Sequence, residues 1–153
     1  MSDTTISFEI QGDSEGYVTF ECPYCCSEFK LQAGEYQNDE EPFEDLFCPY
    51  CGLTHEKNNF LSQEVVAHIQ ALAENYMIEM LNDAFGKMSK SINHSKSLIK
   101  MDYKPLKKVE VGELKDKDTT ETEFMCEHCG HHVKVLYCAG ASKIFCPYCG
   151  VDL

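Results

Sequence analysis

The sequence predicts a small α+β fold stabilised by bound metal, in which two cysteine-rich modules of short antiparallel strands are joined by one long amphipathic helix. Three observations predict it. Eight of the ten cysteines fall into four Cys-x-x-Cys pairs, two in each half of the 153-residue chain. Short segments with alternating apolar residues flank these pairs. A helical periodicity of apolar residues fills residues 61–92 between them.

The first predicted module covers residues 1–60. Alternation at Ile6, Phe8 and Ile10 predicts a strand, and residues 12–16 have the composition of a turn. A second strand over residues 17–21 leads directly into the first pair of cysteines, Cys22 and Cys25, and the second pair is Cys48 and Cys51. The pattern predicts a hairpin that feeds the first knuckle.

A long acidic loop separates the two cysteine pairs of the first module, at residues 35–45. One interpretation is a solvated, mobile loop. The other is a docking surface, with Tyr36, Phe43 and Leu46 as apolar anchors among the charges.

Residues 61–104 are predicted to form the helix and a polar linker at 89–104. Apolar residues recur at spacings of three and four from Val65 to Met88, and Ser62 is the predicted N-cap. A helix of about 30 residues is roughly 45 Å long, which is more than either flanking module covers. We therefore expect a partner surface or a dimer seam on it, anchored by Ile69, Leu72, Tyr76, Met80 and Phe85. The alternative is a helix that packs only on its own two modules.

The second predicted module covers residues 105–153. A strand is expected between Leu106 and Leu114, and another around Val133 and Val135, where Cys138 is predicted to be a buried free thiol. The cysteine pairs of this module are Cys126 with Cys129 and Cys146 with Cys149. The hexapeptide at 47–52, Phe-Cys-Pro-Tyr-Cys-Gly, recurs letter for letter at 145–150, so the modules form an internal repeat.

The spacing of the cysteines favours metal over disulfides. A bridge between residues three apart closes almost no loop and stabilises little, whereas a Cys-x-x-Cys turn directs two sulfurs at one point. Four thiolates in a tetrahedron suit zinc or iron and leave no open position for a substrate, which is typical of a structural site. We predict two Zn²⁺ per chain, each module folding on its own ion, with these ligands: Cys22, Cys25, Cys48, Cys51, Cys126, Cys129, Cys146 and Cys149.

This arrangement resembles the zinc-ribbon (rubredoxin-like knuckle) proteins over residues 17–56 and 122–153. The resemblance implies two zinc ribbons of short antiparallel strands, a module found in transcription factors, RNA polymerase subunits and adaptor proteins. One position departs from the pattern: Cys26 stands where the other three knuckles have glycine. It is interpreted as a tolerated residue, with a substitute ligand or a reactive thiol as alternatives. The nearby histidines, His128, His131 and His132, are expected at the surface.

The charge bears on the choice of partner. The chain has 26 acidic residues against 13 basic ones, a net charge of −13, and all of its bases are lysine. Phosphate binding needs a basic face, for which arginine is the preferred group. Direct nucleic-acid binding is therefore disfavoured, with weak contact left open at the C-terminal module through a group of lysines: Lys104, Lys107, Lys108, Lys115, Lys117, Lys134 and Lys143.

The sequence also indicates the class of protein. No apolar run could span a membrane and no export signal is visible, so we expect a cytoplasmic location. No catalytic triad, phosphate loop or open metal motif is present, so we expect no enzyme. The sequence favours a zinc-structured, non-enzymatic protein-interaction or adaptor subunit of a larger assembly, which binds a protein partner or itself through the helix. The alternative is a nucleic-acid-binding or transcription-related zinc-ribbon protein.

Overall fold

The computed structural model describes residues 4–40, 42–96, 98–116, 121–136 and 142–153. These form two compact units, which we call the cysteine unit (residues 9–66 and 113–153) and the helical unit (the described parts of 1–8 and 67–112). The predicted mixture of short antiparallel strands and one long helix is confirmed. Whereas the sequence predicts three segments with boundaries at residues 60 and 104, the structure places both cysteine-rich ends of the chain in the same unit.

The cysteine unit is built on a four-stranded antiparallel sheet in the order β2-β3-β8-β7, to which each cysteine-rich module gives one hairpin. The hairpins join where β3 pairs with β8, with Leu31 opposite Val133. The strands are β1 (Ile10–Gln11), β2 (Tyr17–Glu21), β3 (Glu28–Gln32), β4 (Asp45–Phe47), β5 (Thr54–Glu56), β6 (Leu114–Lys115), β7 (Glu121–Met125) and β8 (His132–Leu136).

Smaller elements complete this unit. Strands β1 and β6 form a short parallel pair, and β4 and β5 form a hairpin. A one-turn helix α1 covers Ala33–Tyr36, and a 3₁₀ turn covers Lys57–Phe60. The predicted strand over residues 6–10 and the one between Leu106 and Leu114 are thereby corrected, since only Ile10 and Leu114 of those two segments pair as strands.

One hydrophobic core serves both modules. Residues from β2 and β3 and residues from β8 lie in the same buried cluster. Its members are Val18, Phe20, Cys22, Phe29, Leu31, Leu46, Cys48, Phe60, Val133, Val135 and Ile144. Because small domains bury too little apolar surface to be stable alone, a core shared by two modules is more stable than either half.

A buried ion pair joins the turn that precedes β2 to strand β3. Lys30 and Asp13 are 3.0 Å apart, and both side chains are 2% exposed. Burial by itself raises the pKa of the Asp13 carboxyl, but hydrogen bonds from the Tyr17 amide, Lys30 and the Glu15 amide hold that pKa below its usual value. Asp13 therefore stabilises the fold at neutral pH, and this contribution is lost as the pH falls through its lowered pKa.

The apolar residues of the acidic loop, which the docking interpretation took as anchors, pack within the cysteine unit. The Tyr36 ring lies 4.7 Å from that of Phe20, between ring centroids, and the Phe43 ring lies 5.0 Å from that of Tyr148. Leu46 is fully buried. These anchors pack inside the cysteine unit, so the loop is tied to the core at both ends.

The long helix, α2, covers Gln63–His94. The predicted N-cap is confirmed, because the Ser62 hydroxyl accepts a hydrogen bond from the Val65 amide at 3.4 Å. The helix extends two residues beyond the predicted Ile92, so the first part of the predicted linker at 89–104 is helical. Within the described residues, no helix is both long and apolar enough to cross a membrane.

In the helical unit, an extended segment at residues 101–109, which we call the strap, runs antiparallel along α2. Three asparagine side chains on α2 hold it. Each accepts from one strap amide through Oδ1 and donates to the carbonyl of the same residue through Nδ2. The pairs are Asn75 with Val109 (2.6 and 2.8 Å), Asn82 with Leu106 (2.8 and 3.0 Å) and Asn93 with Met101 (3.0 and 2.9 Å).

The dimensions of helix and strap match. From Asn75 to Asn93 the helix rises roughly 27 Å, and the eight residue-to-residue steps from Met101 to Val109 span about 26–29 Å when extended. Pro105 keeps the residue before it extended. The strap thus resembles an edge strand. Its backbone hydrogen bonds go to asparagine side chains of α2 instead of to the backbone of a neighbouring strand.

We predict that Asn82→Ala releases the middle of the strap. The substitution removes both hydrogen bonds to Leu106 and the acceptor for the Tyr103 hydroxyl, each worth about 0.5–1.5 kcal/mol. In hydrogen exchange the Leu106 amide should lose at least tenfold protection, while the Val66 amide, held by Ser62, stays unchanged. Equal loss at both amides would show that the asparagine supports the whole helix instead.

Candidate metal centres

The four Cys-x-x-Cys turns share one local geometry. In each, the first cysteine is buried. Two main-chain amides of the turn point at its sulfur: those of Tyr24 and Cys25 lie 3.4 and 3.5 Å from Cys22 Sγ. The same two distances recur at Cys48. These donors stabilise a thiolate, so the backbone of each turn is arranged for an anionic sulfur.

The residue after each second cysteine closes the turn. Its amide donates to the carbonyl of the first cysteine at 2.8–3.0 Å in all four turns. Its φ is positive in every case: 56° at Cys26, 70° at Gly52, 76° at Gly130 and 74° at Gly150. This left-handed conformation favours glycine, which explains the glycines. Cys26 adopts the same conformation with an exposed side chain, and it lies outside both cysteine clusters.

The eight predicted ligands form two clusters in the described part of the chain, each of four cysteines and no other ligand type. In the first, Sγ–Sγ distances are 3.8 Å for Cys22–Cys51 and 3.7 Å for Cys25–Cys48. In the second, Cys126–Cys149 and Cys129–Cys146 are both 3.6 Å apart.

These distances suit a metal ion. A tetrahedron of sulfurs about 2.3 Å from a central ion has edges of about 3.8 Å, close to the separations observed. A disulfide would need about 2.05 Å. The geometry therefore fits two tetrahedral metal centres, compatible with zinc-ribbon-like modules.

The electrostatics of the clusters also favour a cation. Burial raises the pKa of the Cys48 and Cys146 thiols well above the ordinary value, and it raises that of Cys129 to about 11. At Cys126 burial is outweighed by the amides of Cys129 and His128, which lower the pKa to about 7. The thiols of Cys48, Cys129 and Cys146 would stay protonated at neutral pH without a cation, so metal binding must release their protons.

The two repeated hexapeptides contact each other directly, and we call this contact the clasp (residues 47–52 and 145–150). The Phe47 amide donates to the Pro147 carbonyl at 2.8 Å, and the Phe145 amide donates to the Pro49 carbonyl at 2.9 Å. The hydrogen bonds are reciprocal, as expected when one sequence meets its own copy.

Glycine is required inside the clasp for a second reason. A Cβ added at Gly52 would lie 3.0 Å from the Phe145 ring, and one added at Gly150 would lie 3.0 Å from the Phe47 ring. Each phenylalanine thus covers the glycine of the opposite knuckle. By contrast, a Cβ at Gly130 would meet nothing within 4 Å.

Polar contacts also cross between the two modules. The Tyr50 hydroxyl donates to the Glu28 carbonyl at 2.6 Å and accepts from the Leu136 amide at 3.2 Å. The Glu35 carboxylate accepts from the His132 amide at 2.7 Å and lies 2.6 Å from His132 Nδ1. The two clusters are therefore parts of one structure and do not belong to independent modules.

The histidines near the second cluster do not all lie at the surface as predicted. His128 is exposed. His132 is tied to Glu35, and His131 stacks on Tyr148 with ring centroids 4.2 Å apart. Cys138 and Lys117 lie outside the described residues, so the expectation for Cys138 stays a prediction.

The predicted partner surface lies on α2, and its five residues differ in exposure. Ile69 and Leu72 are partly buried. Met80 is 57% exposed, whereas Tyr76 shares a hydrogen bond with Thr4 and Phe85 stacks on Tyr103. Four exposed apolar residues of α2 are not among the five predicted anchors: Val66, Met77, Leu81 and Met88. The row of asparagines on the opposite side of the helix is the signal that could have located them.

Comparison with models of protein families, with curated proteins and with solved structures finds no match for this chain.

We predict that Cys149→Ser disrupts both modules. The chain should lose one metal ion, by native mass spectrometry. Because β3 pairs with β8 and the clasp joins the two clusters, hydrogen-exchange protection should fall in β2 and β3 as well as in β7 and β8. This replaces the sequence-based expectation that each module folds on its own ion.

The matched control is Cys26→Ser, which makes the same substitution at an exposed cysteine outside the clusters. It should keep both metal ions and full protection. Undiminished protection of β2 and β3 in Cys149→Ser would show that the modules are independent after all.

We predict that Gly150→Ala destabilises the protein more than Gly130→Ala does. Both substitutions place alanine at a positive φ, which costs about 1–2 kcal/mol. Only Gly150→Ala also pushes a methyl group against Phe47, adding about 1–3 kcal/mol. Denaturant unfolding of the metal-loaded protein measures the difference. Equal losses would mean that the clasp contributes nothing to stability.

Proposed function

We propose that this protein is a zinc-structured, non-enzymatic interaction or adaptor subunit of a larger assembly. Zinc is the proposed ion at both centres because soft thiolates in a closed tetrahedral set favour it. Four protein ligands leave no coordination position for water or substrate, which supports a structural role for the metal. The proposed ligands are the two clusters of four cysteines, so each chain would bind two ions.

The observation that carries the proposal is the exposed apolar surface of α2. Met77 is 61% exposed, Met80 57%, Met88 43% and Leu81 41%. These residues lie within four helical turns of one another, and large exposed apolar patches usually mark interfaces. Methionine side chains are flexible and polarisable, which suits them to binding surfaces.

Nucleic-acid binding, the alternative, receives less support from the charges. Lys134 contacts the Glu15 carboxylate, Lys108 lies 3.3 Å from Glu79, and Lys143 lies 2.9 Å from Asp152. Lysines that are paired with carboxylates are less able to neutralise phosphates. With 26 acids in the chain, a protein partner is the better proposal.

We predict that Met77→Asp with Met80→Asp abolishes capture of the partner from native cells by the tagged full-length chain. Both side chains are largely exposed, so the substitutions should leave the fold and both metal ions intact. Leu72 is avoided because it is partly buried. The variant Lys100→Asp adds the same negative charge at an exposed position outside α2 and should capture normally.

A nucleic-acid-binding protein would respond differently. Its binding would withstand the methionine substitutions, weaken steeply with salt, and fall on replacing Lys107, Lys108 and Lys134. That pattern would reject the interaction proposal in favour of the alternative.

A further inference from the structure

We propose that the helical unit binds the surface of an anionic lipid bilayer through the end where α2 stops and the strap begins. Such contact needs no segment that crosses the membrane. It goes beyond the proposed function, because it uses a surface separate from Met77 and Met80. We call this surface the basic tip; its residues are Lys90, Lys96, Leu98, Ile99, Lys100 and Lys104.

The basic tip carries two apolar side chains in full contact with solvent. Leu98 is 104% exposed and Ile99 is 71% exposed, more than any other large apolar residue in the described part of the chain. They lie between His94, where α2 ends, and Met101, where the strap begins. Because the helix and the strap run antiparallel, residues between them lie at the extremity of the pair. Leu98 and Ile99 are therefore placed to meet a neighbouring surface first.

The backbone on both sides of these two residues is held in place. The Asn93 side chain bonds to both the amide and the carbonyl of Met101, and the Ser89 hydroxyl donates to the same carbonyl at 2.9 Å. The Ser95 hydroxyl donates to the Ile92 carbonyl at 2.8 Å. A base that is already ordered loses less conformational entropy when the tip binds.

The lysines of the chain are concentrated in the same region. Residues 84–109 contain seven of the 13 lysines and only one of the 26 acidic residues, in a chain whose net charge is −13. All seven lysines are exposed. Among them, in the described part of the chain, only Lys108 forms an ion pair, with Glu79 at 3.3 Å. This end of the helical unit is thus positively charged and is attracted to an anionic surface.

The order of apolar and basic groups matches the cross-section of an anionic bilayer, which has charged headgroups outside and hydrocarbon beneath. Side chains at such an interface are buried about 5–10 Å deep, which suits Leu98 and Ile99 at the extremity. Lys90 and Lys104 are set back from this end, by about 6 Å along α2 and about 10 Å along the strap. Their long stems allow the ammonium groups to stay among the headgroups while the apolar residues insert.

Two other anionic partners fit the basic tip less well. Nucleic acids are bound through arginine and through aromatic rings that stack on bases. The chain has no arginine, and Tyr103, the only aromatic residue in residues 86–109, stacks on Phe85. An acidic protein would need an apolar cavity to receive Leu98 and Ile99, whereas every anionic bilayer has hydrocarbon beneath its charges.

The first test measures co-sedimentation of the metal-loaded full chain with vesicles. Phosphatidylcholine vesicles with about 30% phosphatidylserine should bind the chain, pure phosphatidylcholine vesicles should not, and salt should weaken binding. Leu98→Ser with Ile99→Ser should weaken binding at least about tenfold, because apolar surface is no longer buried. Lys96→Ala with Lys100→Ala should weaken it about 25-fold, at about fivefold for each lysine near the surface.

The matched control is Leu53→Ser with Leu136→Ser, which replaces two exposed leucines of the cysteine unit and should bind like the natural chain. Lys100→Asp should weaken vesicle binding while it leaves capture of the protein partner intact, because the two surfaces are separate. Circular dichroism and metal content should match in all variants. A natural chain that binds neither kind of vesicle, or binds both equally, overturns the proposal, as does undiminished binding by the Leu98→Ser with Ile99→Ser variant.

The second test asks whether the basic tip enters the bilayer. The chain contains no tryptophan, so Leu98→Trp places a single indole at the tip and Leu53→Trp places one in the cysteine unit. On anionic vesicles the emission of Leu98→Trp should shift to shorter wavelength and be quenched by brominated lipids, whereas that of Leu53→Trp should stay unchanged. Unchanged emission of vesicle-bound Leu98→Trp overturns the proposal. Tighter binding to a single-stranded RNA oligonucleotide than to vesicles, unaffected by Leu98→Ser with Ile99→Ser, overturns it in favour of nucleic-acid binding.

Discussion

The cysteine unit depends on the clasp between two copies of one hexapeptide. Each copy supplies a phenylalanine that covers the other's glycine and an amide that bonds to the other's proline carbonyl, at 2.8 and 2.9 Å. Each copy also holds two cysteines of one cluster. The clasp therefore links the two proposed metal centres directly, and the continuous sheet through β3 and β8 links them a second time. We therefore expect metal binding at one end of the chain to be coupled to folding at the other.

This coupling addresses the stability problem of small modules. A cysteine-rich hairpin has little apolar surface to bury, and metal ligation of roughly 10–16 kcal/mol is often what folds it. Here the two modules also share a core in which Leu31 and Val133 lie side by side. The helical unit is stabilised differently. The side-chain amides of Asn75, Asn82 and Asn93 bond to the backbone of the strap, as a neighbouring strand would. The strap is held by side chains on one side of α2, and the opposite face stays available for binding.

Most local features could be predicted from the sequence, because local chemistry determines them. The strand at 17–21, the cap at Ser62 and the positions of the eight cysteines all follow from short patterns. The errors concern long-range contacts. Tyr36 and Phe43 look like exposed anchors in an acidic loop, and only their contacts with Phe20 and Tyr148 show that they pack, half-buried, against the core.

The sequence by itself determined two four-cysteine sets, an internal repeat and one long helix, since ligand spacing and helical periodicity are properties of short segments. The tertiary structure decided that the two sets belong to one unit, because β3 pairs with a strand about 100 residues away, a contact that no local pattern encodes. It also decided which face of α2 is free, because the three asparagines bind a segment that the sequence assigned partly to a linker and partly to a strand, with no indication of its contact with the helix.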